Sequence, residues 1–213
     1  MNTAVITGVS SGIGLAVCRQ FLRQGFLTYG IGRHNPDFEN PRFKFIENDF
    51  THFKDFNIPE TVDCLVLNSG ITVYKKVCDL TGEEIERVFK INFLGNALTL
   101  KSLCRNFEGD SLVFFISSIA ASNTNDFENW GIYSSLKVGF EKFLRIFAVE
   151  RGVKTVILRI GAVDTPLWDK VTGKEKDGKK LSPANVAERL VEIYLNRERL
   201  NFQDMVYFEE ITP

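Results

Sequence analysis

The stretch Thr7-Gly8-Val9-Ser10-Ser11-Gly12-Ile13-Gly14 constrains this chain more than any other. The apolar run Ala4, Val5 and Ile6, within Asn2 to Thr7, predicts a short strand just before it. Leu15, Ala16, Cys18, Phe21 and Leu22 fall at helical spacing just after it. Strand, glycine turn and helix therefore follow one another directly. Such a turn leaves backbone N–H groups at a helix N-terminus with no partner inside the helix, and that end attracts phosphate. Gly8 permits the tight turn, Gly12 lets a diphosphate approach the backbone, and Gly14 lets the helix pack close to the strand. By itself a glycine-rich turn is equally an ordinary strand–helix loop. Here both flanks favour a dinucleotide site.

The 213 residues suit one domain, 1–213, with a sizeable core. With a net charge of −1 there is no electrostatic case for nucleic acid or an anionic membrane. No apolar run approaches a membrane span, and the first strand starts too early to leave room for a signal peptide. A cytoplasmic protein is expected. Cys18, Cys64, Cys78 and Cys104 show no metal-type spacing, so no metal site is expected. Cys18 and Cys64 fall in a helix and a strand and read as small core residues.

A second strand, Phe26 to Ile31, ends in Gly32 and Arg33 with no acidic residue. In dinucleotide sites a carboxylate there selects NAD, whereas an arginine accommodates the 2′-phosphate of NADP. Arg33 therefore predicts NADP(H) preference, with NAD(H) still possible; a plain surface charge is the other reading. His34 either assists or lies exposed. Phe43 to Ile46 form a short strand, and Asp49 follows, a residue type also common as a turn cap. A buried strand, Val62 to Leu67, runs into Asn68-Ser69-Gly70.

Thr81 to Glu84 make a capping box that opens a long helix carrying Asn92 among apolar residues. A polar group there must find a partner, and a bond to the preceding turn is one solution. The strand Ser111 to Ser118 ends in two serines. Tyr133 and Lys137 are four apart on the next predicted helix and share a face. That helix continues through Phe140, Phe143, Leu144, Phe147 and Val149. Both long helices are apolar on more than one face, which predicts a subunit interface or else a larger core. Val153 to Arg159 form a sixth strand, followed by Gly161 to Pro166. The charged run Gly173 to Lys180 reads as a solvated loop; a lid over residues 172–180 is the sharper alternative. A helix opening at Pro183 and a strand from Met205 to Ile211 complete the chain. Alternating strands and helices mean a parallel sheet covered on both faces.

Thr7 to Gly14, Asp49, Asn68 to Gly70, Asn92, Ser118, Tyr133, Lys137 and Gly161 to Thr165 stand in an order that resembles the short-chain dehydrogenase/reductase family over nearly the whole chain. The resemblance implies an α/β, Rossmann-like doubly wound parallel sheet of about seven strands. It implies NAD(P)(H)-dependent interconversion of a carbonyl and an alcohol. Tyr133 would be the acid/base, with Lys137 favouring its phenolate and bonding the nicotinamide ribose. Ser118 would orient the substrate oxygen, with Ser117 facing the backbone, and Asn92 would hold a relay water. Cofactor contacts carry over to Gly8, Ser10, Ser11, Gly12, Ile13, Gly14, Arg33, Asp49, Phe50, Asn68, Ser69, Gly70, Tyr133, Lys137, Gly161, Val163 and Thr165. Asp49 would hold the adenine, and Val163 and Thr165 the carboxamide.

Three positions depart from the family pattern. Leu67 and Ser69 replace Asn and Ala in its Asn-Asn-Ala-Gly stretch, and Ile160 replaces its usual proline. Ser11 stands where NADP-using members often carry Arg or Lys. The family also implies a homodimer or homotetramer acting on a small-molecule carbonyl or alcohol. The pocket is expected near residues 71–76, 119–130 and 163–171, where Tyr74, Phe127, Trp130 and Trp168 supply aromatic surface. A non-catalytic dinucleotide sensor on the same fold is one alternative. A nucleotide-sugar epimerase is another, disfavoured by the short stretch after Thr165.

Overall fold

Strand β1, Thr3–Thr7, is buried along its whole length. Successive side chains point to opposite faces, so Ala4 and Ile6 enter one core while Val5 enters another. The same alternation recurs in β4, Cys64–Leu67, and β5, Leu112–Ser118, where Cys64, Val66, Leu112 and Phe114 face one way and Leu65, Leu67, Val113 and Phe115 the other. A sheet with two apolar faces must be covered on both.

The computed structural model describes residues 1–122, 127–172 and 178–213. Together with β2 (Leu27–Gly32), β3 (Phe43–Glu47), β6 (Lys154–Ile160) and β7 (Val206–Ile211), these strands form one parallel sheet of seven in the order β3-β2-β1-β4-β5-β6-β7. This is the Rossmann-like doubly wound sheet that the alternating pattern predicts. Helices α1 (Gly12–Arg23) and α5 (Pro183–Leu195) cover the first face through Val17, Phe21, Val186 and Leu190. Helices α3 (Gly95–Leu103) and α4 (Gly131–Arg151) cover the second through Leu100, Leu103, Phe140 and Leu144. Strand order reverses between β1 and β4, which opens a crevice at their carboxyl ends.

The long helix expected from Thr81 is not continuous. Its capping box is present, with Thr81 and Glu84 bonding each other's backbone N–H, and helix α2 runs only over Gly82–Phe89. A π-helical turn, Lys90–Leu94, separates α2 from α3. Two packing facts hold the interruption. A side chain at Gly95 would come within 2.2 Å of the Phe50 ring, so the turn lies flush on that ring. The Asn96 amide donates to the Asn92 carbonyl at 2.9 Å, serving a group that the wider turn leaves over. The strands begin or end one or two residues from their expected bounds, the ordinary uncertainty of element ends.

Cys18 and Cys64 are buried, as expected of core residues. Ile85, Phe89, Val138, Phe143, Ile146 and Val149 on α2 and α4 remain exposed, so the extra apolar faces are not absorbed by a larger core. No helix among the described residues is long and apolar enough to cross a membrane, and no metal-binding cluster occurs among them.

Candidate active site

The glycine turn sits at the crevice. Gly8 and Gly12 have φ of +73° and +57°, a region L side chains rarely adopt. Gly14 is fully committed to close packing: a Cβ there would lie 2.2 Å from the Gly8 carbonyl oxygen. The Ser11 side chain caps none of the N–H groups at the start of α1, and no acidic residue occupies the first turn. Those donors therefore face the crevice with the positive end of the helix behind them.

A second loop is tied to this turn. Asn68 N–H and Ser69 N–H both donate to Thr7 Oγ1 at 2.9 Å, and the Asn68 amide donates to the carbonyls of Thr7 and Gly8. The clamp makes the glycine turn and the Asn68–Gly70 loop one unit. Thr7 is a functional position that the sequence reading passed over, although it opens the very motif that reading begins with.

Between these loops lies a cleft of about 320 Å³. Gly8, Ser10, Ser11, Gly12, Ile13, Arg33, Asp49, Phe50, Asn68, Ser69, Gly70 and Thr165 line it, as the sequence pattern places them. Gly14 lies beneath the floor rather than on it. His34 is absent from the lining, so its assisting role finds no support. Asp49 is also the cap that its residue type suggested: its carboxylate accepts from the backbone and hydroxyl of Thr51 at 2.9 and 2.8 Å. Burial raises the Asp49 carboxyl, but the Thr51 bonds and the nearby Arg33 charge outweigh it and hold it below the usual range. Asn48, overlooked in sequence, is buried and bonds Lys54 through both ends of its amide, which shapes the loop that presents Asp49.

The donors at the α1 N-terminus and the unshielded Gly12 backbone together suit a dinucleotide, and Arg33 lines the same cleft. A second cavity of about 230 Å³ opens beside this cleft. Thr165 and Leu167 line both, and Ser118, Tyr133, Gly161 and Val163 line the second.

The four residues singled out as catalytic come together below this junction, but two of them differ from expectation in detail. Asn92 is buried and its side chain does not bond the preceding helical turn. Its side chain pairs with Ile71, accepting from the backbone N–H at 2.8 Å and donating to the carbonyl at 2.9 Å. Its side chain is thus spent on holding the loop after Gly70.

Lys137 Nζ donates to the Ile116 carbonyl at 2.6 Å and stands 5.5 Å over the Tyr133 ring. Burial pushes its ammonium down to about 8, and the Glu141 carboxylate opposes that shift. The Tyr133 phenol is pushed up to about 12, not lowered: burial disfavours phenolate more than its hydrogen bond with Ser118 favours it. The Ser118 hydroxyl oxygen also accepts from the Ala120 backbone at 3.1 Å, which fixes its rotamer.

Ser117 does not face the backbone. It donates to Glu141 Oε1 at 2.6 Å, and Arg159 donates to both carboxylate oxygens of Glu141 at 3.1 and 2.7 Å. Glu141 lies one helical turn beyond Lys137, so Tyr133, Lys137 and Glu141 form a single row on α4. The spacing of that row was visible in the sequence.

A model of the short chain dehydrogenase family matches residues 2–176. This chain belongs to that family. Among its relatives is the sepiapterin reductase of Chlorobaculum tepidum, 26% identical over 95% of this chain and 93% of that protein. An NADPH-dependent 3-dehydrocapnine reductase of Ornithobacterium rhinotracheale is 30% identical over 84% of this chain and 70% of its own length. An alcohol dehydrogenase of Thermococcus sibiricus, solved with 5-hydroxy-NADP, superposes with a TM-score of 0.76 at 26% identity, covering 100% of this chain and 96% of that one. This short-chain dehydrogenase is accordingly an NAD(P)-dependent oxidoreductase. The lid alternative for residues 172–180 falls largely on 173–177, outside the described residues.

Proposed function

We propose that this chain reduces a small-molecule carbonyl to an alcohol with NADPH, using Tyr133 as the proton donor. The observation that carries the proposal is the junction of the two cavities. The cleft suited to a dinucleotide opens at Thr165 and Leu167 onto a pocket holding the Tyr133 and Ser118 hydroxyls. The nicotinamide, when bound, supplies the hydride to the carbonyl carbon. The chain's own residues handle the oxygen, on which negative charge develops. Ser118 donates a hydrogen bond to it. Tyr133 delivers the proton that completes the alcohol, and its raised pKa keeps that proton available at every ordinary pH. Lys137, on the same helix face, binds the ribose and supplies positive charge as the proton leaves. Asn92 acts by holding the loop after Gly70 in place.

Arg33 lies exposed at the cleft, and we assign it to the 2′-phosphate of NADP(H). The relative described as NADPH-dependent agrees with that choice. A charge-assisted contact of this kind contributes about 1.5–3 kcal/mol. Arg33→Asp should therefore weaken NADPH relative to NADH by roughly tenfold or more, read by fluorescence titration with each cofactor. An unchanged ratio would remove Arg33 from the role.

The exposed apolar row on α2 and α4 suits self-association, and we assign the chain to a homodimer or homotetramer through that surface. Ile146, 48% exposed on α4, tests it. Ile146→Glu should shift the sedimenting species to a smaller one. A wild-type chain that sediments as a monomer would refute the assignment.

A further inference from the structure

Three consecutive residues of β5 meet three residues spaced one turn apart on α4. The Ile116 carbonyl accepts from Lys137 Nζ at 2.6 Å, and the Ser117 hydroxyl donates to Glu141 Oε1 at 2.6 Å. Ser118 is hydrogen-bonded to the Tyr133 phenol. Tyr133 and Lys137 have parts in the reaction proposed above. Glu141, the third of the row, is 5% exposed and lines neither cavity.

The Glu141 carboxylate ties three elements together. Ser117 on β5 and Arg159 on β6 are register partners, so their side chains stand side by side on the face that α4 covers. Glu141 accepts from both, taking Arg159 Nε and Nη2 at 3.1 and 2.7 Å. Glu210 of β7 lies 3.8 Å from the same guanidinium, which stands 5.1 Å over the Phe208 ring. Arg145, one turn further along α4, stands 5.9 Å over that ring from its own side.

The surroundings of Lys137 are neutral by contrast. Its Nζ stands 4.8 Å over the Phe115 ring and 5.5 Å over the Tyr133 ring, and a Cβ at Gly70 would lie 3.7 Å from it. Glu141 is the carboxylate whose charge opposes the loss of its proton. Apolar side chains would join α4 to β5 and β6 without the desolvation cost of a buried carboxylate. They would not place a negative charge one turn from a buried ammonium, which sheds its proton readily without one.

We infer that Glu141 is a positioning residue for carbonyl reduction: it pins the end of β5 to α4 through Ser117 and Arg159 and holds Lys137 in its charged form. The inference rests on the reading above in which Lys137 acts as a cation beside Tyr133. Arg159 shares the Glu141 charge, so the two residues act on the Lys137 proton in opposite directions.

The test follows two readouts from about pH 6 to about pH 10. One is NADPH affinity by fluorescence titration, and the other is kcat/KM from NADPH oxidation with 4-nitrobenzaldehyde as the carbonyl probe. Both depend on the Lys137 charge, the first because the cofactor is a polyanion. Both should therefore fall as pH rises through the Lys137 pKa, near 8 in the wild type. Glu141→Gln removes the negative charge and should move both midpoints down by about one pH unit. That is a loss of about tenfold in kcat/KM near pH 9 and little change near pH 6. Arg159→Gln leaves the Glu141 charge unshared and should move both midpoints up. Ser117→Ala removes one hydrogen bond but keeps every charge, and should leave the midpoints in place.

Shifts of opposite sign in Glu141→Gln and Arg159→Gln support the inference. A purely structural part for Glu141 would lower activity at every pH and leave the midpoints fixed. Fixed midpoints, or shifts of one sign in all three variants, would overturn the inference, and wild-type turnover of the probe would leave the reductase standing. If Glu141→Gln failed to fold, Arg159→Gln decides alone, an upward shift supporting the inference and its absence overturning it. If the NADPH midpoints moved as expected but the wild type did not reduce the probe, the reductase reading would fail while the link from Glu141 to Lys137 stood.

Discussion

Tyr133→Phe should bind NADPH with unchanged affinity and lose about 10²–10⁴-fold in kcat for carbonyl reduction. The change deletes one oxygen and keeps the ring that packs on Trp130 at 5.3 Å. The neighbouring Ser118 keeps its bond from the Ala120 backbone, so the site does not collapse. The lost hydrogen bond is worth only about 0.5–1.5 kcal/mol to the fold. What disappears is the proton donor that we propose for the developing alkoxide. Burial pushes this phenol up to about 12, which suits the reduction direction, where it must begin protonated. Steady-state NADPH oxidation beside a cofactor titration separates the two effects. Turnover within about threefold of wild type, with binding intact, would take the acid role from Tyr133.

Gly14→Ala should lower both stability and cofactor affinity. The added methyl would lie 2.2 Å from the Gly8 oxygen and 2.5 Å from Asn68 Nδ2. Neither neighbour is free to move. Gly8 belongs to a turn at positive φ, and the Asn68 amide is held by the carbonyls of Thr7 and Gly8 at 2.9 and 3.2 Å. Helix α1 must therefore back away from β1, and the clamp that joins the two loops breaks. Overpacking of this kind costs about 1–3 kcal/mol, and the broken bonds about 1 kcal/mol each. For a chain of this size that is a fall of roughly 5–15 °C in Tm. The displaced α1 N-terminus should also lose tenfold or more in NADPH affinity. Gly25→Ala is the control. Gly25 has φ +83° but nothing within 4 Å of an added Cβ, so it carries backbone strain alone. If Gly14→Ala melts no lower than Gly25→Ala, the close approach of helix and strand is not what Gly14 provides.

Much of the site was readable one stretch at a time. The glycine turn, the Asn68–Gly70 loop, Arg33 and the Tyr133–Lys137 row are local patterns, and each marks where a strand meets a loop or how a helix is faced. The Thr81 capping box is likewise complete within four residues, and it forms as written. Other features depended on distant partners. A bond to its own helix was one solution open to Asn92, yet it pairs with the backbone of Ile71. Nothing within a helical turn of Asn92 names that loop. Ser117 was assigned to the backbone once Ser118 took the strand-end position of the family pattern. The Glu141 carboxylate, brought over by α4 and already gripping Arg159, is the stronger acceptor. The direction of the Tyr133 shift was missed for the same reason. The sequence displays the lysine four residues away, but desolvation is set by everything packed around the ring.

By itself, then, the sequence determined the order of strands and helices, the turn that can receive a diphosphate, and which residues share a face. These follow from φ/ψ preference, side-chain period and spacing, all of which act over a few residues. Tertiary structure alone decided that a π-turn would interrupt the long helix against the Phe50 ring and that Thr7 would lock two loops together. It also decided that Trp130 and Trp168 would line one pocket beside Tyr133. Those outcomes depend on burial and on contacts between residues far apart in the chain, whose strength exists only once the sheet has brought them within a few ångströms.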